Sequence, residues 1–131
     1  MPVARSAKVF IGTDETTGVT IANAATETSS EVDLLGDNIS MGQANFYITK
    51  TGTGTTASGL RVRILPSRIS GQNYDDQPPA ANIITKTPVS GTEMIFLGTF
   101  IISRFGIVEV RNTSGAEMTN VFVAAEVFNL T

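Results

Sequence analysis

The chain has 131 residues, a formal net charge of −3 and no His, Cys or Trp, so it is one domain's worth of sequence without the commonest chemistry-bearing side chains. The absence of His removes the usual general base near neutral pH and the commonest metal ligand; the absence of Cys removes thiol catalysis, thiolate metal sites and disulfides, and leaves the redox compartment open. A pI near 4.8 argues against a broad basic face for nucleic acid. Only 16% of residues are charged and 41% are hydrophobic, so neutral polar groups must cover the surface, and 18 Thr, 10 Ser, 8 Asn and 12 Gly supply them. That balance disfavours disorder, which needs low hydrophobicity and high net charge. The longest apolar stretch, Met94 to Ile102, is 9 residues, far below the ~20 of a membrane-spanning helix. No export signal and no membrane partner are expected.

Residues 1–7 are small and polar and read as an N-terminal arm, with a single domain over residues 8–131. Strand-like periodicity follows throughout. Lys8–Gly12 is short and apolar, and Gly18–Ala22 alternates with Val19 and Ile21 on one face. In Ser29–Leu35, Glu31 and Asp33 lie opposite Val32 and Leu34. Ala44–Lys50 puts Phe46 and Ile48 on one face, and Thr51–Gly59 is a Gly/Thr loop. Leu60–Leu65 alternates most cleanly, with Leu60, Val62 and Ile64 inward, Arg61 and Arg63 outward, and Pro66 as the stop. Residues 67–81 form a surface excursion without a strong period, long enough to suggest a role. Pro88 assigns Ile83–Val89 to a sheet edge. Glu93–Ile102, apolar on both faces, reads as a central strand covered on both sides. Gly106–Arg111 and Thr119–Phe128 read as a hairpin across residues 112–117.

No window carries a capped helical stripe, which excludes alternating βαβ units. The fold expected is all-β, an antiparallel β-sandwich of the jelly-roll type with about eight strands.

No nucleophile elbow, S-x-x-K or P-loop signature is present, so no enzyme is predicted and no cofactor is expected. Carboxylate pairs could in principle run glycoside hydrolysis. The candidates are Glu31 with Asp33, Asp75 with Asp76, and Glu109 with Glu126, each more simply read as turn or strand-face chemistry. The Asp75 loop could offer oxygens to Ca²⁺ but lacks EF-hand spacing. N-x-[S/T] matches at Asn38, Asn112 and Asn129 carry no weight, since composition alone produces one or two. Charge is unevenly spread: residues 1–40 sum to −4, 41–90 to +3 and 91–131 to −2. Arg61, Arg63 and Arg68 are therefore candidate interface residues toward an acidic neighbour, together with Tyr74, Asp75 and Asp76 of the excursion. No aromatic interleaves the arginines, so no nucleic-acid partner is expected.

Three segments carry a resemblance of texture and strand layout to a known group. They are Ser30–Gly36, Leu60–Pro66, and the closing Phe105–Asn112 with Val121–Phe128. With them this Cys-free, Thr/Gly/Asn-rich chain resembles the small decoration, or cement, proteins that stud the capsids of tailed bacteriophages. The resemblance implies a jelly roll that docks over capsomer junctions on the major capsid protein and reinforces the shell. It also implies a homo-oligomer, trimer favoured over dimer, made in the host cytoplasm and carried on the outer capsid surface of the virion. The short arm departs from the decoration proteins whose long N-terminal segment orders on binding, so strand faces and the 67–81 excursion would carry the contacts. A phage tail or fibre component, and a carbohydrate-binding β-sandwich using Tyr47 or Tyr74 for stacking, remain the alternatives.

Overall fold

A computed structural model describes residues 3–13, 17–33, 44–52, 59–67, 71, 80–87, 91–98 and 104–130. Ten strands are described: β1 (Val3–Ile11), β2 (Val19–Ile21), β3 (Thr26–Thr28), β4 (Val32–Asp33), β5 (Ala44–Gly52), β6 (Leu60–Ser67), β7 (Ile83–Lys86), β8 (Gly91–Gly98), β9 (Phe105–Asn112) and β10 (Met118–Leu130). A 3₁₀ turn at Ala80–Asn82 leads into β7. All described pairings are antiparallel, in two sheets ordered β1-β10-β5-β8, with β2 also on β10, and β3-β9-β6-β7, with β4 also on β9.

The ten segments occupy eight positions. β1 pairs with β10 from Val3↔Leu130 to Ile11↔Val123, and β2 continues along the same margin with Val19↔Val121 and Ile21↔Met118. β4 and β3 likewise share the margin of β9, from Asp33↔Phe105 to Thr26↔Arg111. The pairs then nest: β1/β2 with β10, β3/β4 with β9, β5 with β8, β6 with β7. One long antiparallel ribbon has been wound into two layers, which is the jelly roll expected from the strand count.

The alternation of the sequence sets the interior. Leu60, Val62 and Ile64 of β6, Val108 and Val110 of β9, Phe46 and Ile48 of β5, and Met118, Val121 and Val123 of β10 meet between the sheets as one buried cluster. Phe10 stacks on Phe46 with ring centroids 5.4 Å apart.

β10 bends at Asn120, whose φ of 50° falls in the left-handed region that Asn tolerates. The registers with β2 and β5 both shift there. Asn120 Oδ1 accepts the Gly18 N–H at 2.7 Å. The approach is so close that a Cβ on Gly18 would lie 2.4 Å from the carbonyl carbon of Asn120, so only glycine fits.

Four expectations change. Residues 3–7, read as an arm, are hydrogen-bonded into the sheet as the first half of β1. Pro66 does not end its strand; it pairs with Gly106 inside β6. Beyond Arg63 the described part of β6 has β9 alone beside it, so a residue without an N–H is accommodated there. β9 and β10 do not form a hairpin, because the chain crosses between the sheets through residues 113–117. β8 is an outer strand, and its double-sided apolar pattern has another meaning, taken up below.

Candidate functional site

On β6 the side chains of Arg61 and Arg63 point away from the core, as alternation requires, and β9 places Glu109 directly across from Arg63. The Arg63–Glu109 pair is bidentate: Nε donates to Oε1 at 2.9 Å and a terminal nitrogen donates to Oε2 at 3.0 Å. Arg61 reaches the same carboxylate more weakly, at 3.3 Å, and keeps 39% of its side-chain surface exposed. Its Nε is enclosed and finds no hydrogen-bond partner among the described residues. Arg111 stands next to Arg61 across the ladder and donates to Thr26 Oγ1 at 3.2 Å. Two guanidinium groups thus share one carboxylate and a third stands beside them on the outer face of this sheet, leaving it locally positive.

The hydrogen bonds from Arg63 hold the Glu109 carboxyl below its ordinary value of 4.5, against the opposing pull of burial and with help from the charges of Arg63 and Arg61. The folded state therefore binds protons at Glu109 less readily than the unfolded chain. The resulting stabilisation is present above the ordinary glutamate value and disappears as pH falls through the lowered folded one. Glu109→Gln should accordingly be less stable than wild type at pH 7, with the gap narrowing as pH falls below the ordinary value of 4.5. Denaturant titrations of both proteins across that range check it; a gap independent of pH would assign the loss to packing.

The other face differs. On the outer side of the β1-containing sheet, Tyr47, Phe122 and Ala124 form a second apolar cluster with Val9 against it. Tyr47 packs edge-on against Phe122 at 6.2 Å and tilted against Phe96 at 6.4 Å. At the margin, Met94 and Phe96 of β8 are 56% and 59% exposed. β8 is apolar on both faces because Leu97 and Ile95 turn into the sandwich while Met94 and Phe96 turn out to solvent.

Of the predicted interface residues, the structure brings Arg61 and Arg63 together; Arg68, Tyr74, Asp75 and Asp76 lie outside the described residues, as does the loop considered for Ca²⁺. Among the described residues no three metal-capable side chains cluster. The described carboxylates have other partners or lie apart. Glu31 accepts the Gly71 N–H at 2.8 Å, and Asp33 takes Arg104 at 3.4 Å. Glu109 and Glu126 sit in different sheets. Tyr47 is 5% exposed, so its ring is closed to a stacking sugar. Asn112, one of the N-x-[S/T] matches, is fully buried. Sequence reasoning missed Met94 and Phe96, although their parity opposite Ile95 and Leu97 marked them as one face. It also missed Lys50, which shares the inward parity of Phe46 and Ile48, is fully buried and pairs with Glu93 at 3.2 Å. No helix among the described residues is long and apolar enough to cross a membrane.

No family model and no curated protein matches the chain. Three solved structures that resemble it are distant. A Bacillus endospore appendage pilus protein is 10% identical, covering 95% of this chain and 87% of that one, with a TM-score of 0.42. The CBM36-1 domain of a multidomain xylanase from the hindgut metagenome of Trinervitermes trinervoides is 9% identical, covering 93% and 96%, with a TM-score of 0.43. The decameric BFDV capsid protein is 14% identical, covering 96% and 93%, with a TM-score of 0.38. Identities this low and superpositions this loose assign neither a family nor a function.

Proposed function

We propose that this protein is a structural, non-catalytic subunit that self-associates and decorates the outer surface of a phage capsid, binding the major capsid protein over capsomer junctions and reinforcing the shell. The observation that most supports an assembly role is the pair of unlike outer faces on one sandwich. One carries the exposed apolar side chains Met94 and Phe96 at its β8 margin; the other is positive around Arg61, Arg63 and Arg111. Two large apolar side chains left exposed side by side on one strand offer a contact with another macromolecule. The positive face offers steering toward an acidic neighbour. Neither face requires a reacting group, cofactor or metal.

Reinforcement works by mass action: a protein that binds the assembled shell and not its dissociated parts stabilises it by about 2.7 kcal/mol per site at a free concentration one hundredfold above Kd. Purified shells melted with and without saturating protein test this directly. A raised melting temperature is expected, and an unchanged one would overturn the reading. Cryo-microscopy of virions separates this placement from the tail or fibre alternative: density over the icosahedral surface is expected, and density on the tail alone would transfer the role there.

A further inference from the structure

The two sheets have four margins among the described strands, and they are not equally protected. Native proteins guard sheet edges with short strands, breaks, Pro and charged side chains, because an open edge presents a row of unpaired N–H and C=O groups. β7 is four residues long, ends on Lys86, and is followed closely by Pro88. The β3/β4 margin is broken into pieces of three and two residues that carry Glu27 and Asp33. The β1/β2 margin is interrupted after Ile11, and the β1 sequence includes Arg5 and Lys8. β8 is eight residues long and contains no Lys, Arg or Pro. Its one charge, Glu93, is turned inward and neutralised by Lys50 of its own sheet. Its outward side chains are Thr92, Met94 and Phe96, all exposed.

We propose that β8 is a self-pairing edge, on which the β8 strand of a second copy docks antiparallel about a two-fold axis normal to the sheet. An open strand edge is satisfied by another extended strand. The outward side chains of β8 are uncharged, so a copy laid against itself meets no like charge in either register. Such an axis keeps both outer faces on the same side, joining the exposed Met94 and Phe96 of each copy into one apolar patch. The register shift opposite Leu97 limits regular pairing to Gly91–Phe96, a run of about 20 Å. So short a contact falls below the ~1,200 Å² of stable interfaces, in the class of weak, concentration-dependent ones, with a Kd on the order of 10–100 µM. The inference gives the self-association proposed above a surface and a symmetry, a two-fold pair in place of the trimer expected from sequence, and it does not depend on a capsid.

Sedimentation equilibrium of the isolated protein tests it. A monomer–dimer equilibrium is expected, with Met94→Lys and Phe96→Lys each reducing association at least tenfold while circular dichroism and unfolding midpoints stay near wild type. Hydrogen exchange on the wild type reads the same edge without substitution, since amides within residues 91–96 should gain protection as concentration rises from about 1 to 300 µM. A monomer throughout that range, a trimer, or a dimer indifferent to both substitutions would overturn the proposal. A dimer that fails to raise the melting temperature of shells would overturn capsid reinforcement and leave the self-pairing edge standing.

Discussion

Asn112→Ala is expected to destabilise the protein by about 3 kcal/mol, or roughly 10 °C in Tm for a domain of this size. Asn112 is the last residue of β9, fully buried where the chain leaves one sheet for the other. Its Nδ2 donates to the carbonyl oxygens of Ile21 at 3.0 Å and Ala116 at 2.8 Å. Its Oδ1 accepts from the Ser114 N–H at 3.0 Å and the Ser114 hydroxyl at 2.7 Å. One amide thus ties β2, in the opposite sheet, to both limbs of the crossover. Truncation strands buried backbone groups that no longer reach water, and that desolvation is the larger part of the loss. Asn112→Asp separates the donor role from simple volume. A carboxylate there aims negative charge at two carbonyl oxygens, so at pH 7 it should be worse than alanine. Urea unfolding of the three proteins measures both differences, and an Asp variant as stable as wild type would show that the Nδ2 bonds contribute little.

Glu93→Leu is expected to cost a similar amount, about 3 kcal/mol, because it removes the carboxylate paired with a fully buried ammonium. The informative comparison is the double variant Lys50→Met with Glu93→Leu. A buried ion pair recovers its desolvation cost only in part, so replacing both members with apolar groups of similar length should restore most of the stability or exceed wild type. The double variant should therefore unfold at a midpoint well above that of the single one. A double variant as unstable as the single would mean that Lys50 is held mainly by its other contacts, among them the Gly91 carbonyl oxygen at 3.4 Å.

What was readable from sequence follows from which signals are local. Alternation in Leu60–Leu65 assigned both the buried set and the outward arginines, because side-chain direction in a strand depends on parity alone. The same parity applied to Phe46, Ile48 and Lys50 places a lysine inside the sandwich. Partner choice is not local. Arg63 and Glu109 are 46 residues apart and meet through the β6–β9 register, which no short window contains. The β9–β10 crossover was misread as a hairpin because turn-forming residues between two strands do not say which sheet the second strand joins. For β8, apolar residues on both sides signalled burial on both sides, whereas one of those sides faces solvent. Composition does not tell an apolar side chain that is buried from one that is exposed, as Met94 and Phe96 are.

The nesting of the strand pairs also governs how the chain reaches this state. Only β6 and β7, at the tip of the wound ribbon, are close in sequence, while β1 joins β10 across nearly the whole chain. Each outward pair closes a longer loop than the one before it, so high contact order places this domain among slow folders, on the millisecond-to-second scale. During that interval β8 must wait for β5 with its apolar side chains uncovered, and a chain caught then has the same edge to offer as the finished protein. Slow synthesis or low temperature should favour soluble product over inclusion bodies, because the hazard lies in the order of closure rather than in the stability of the end state.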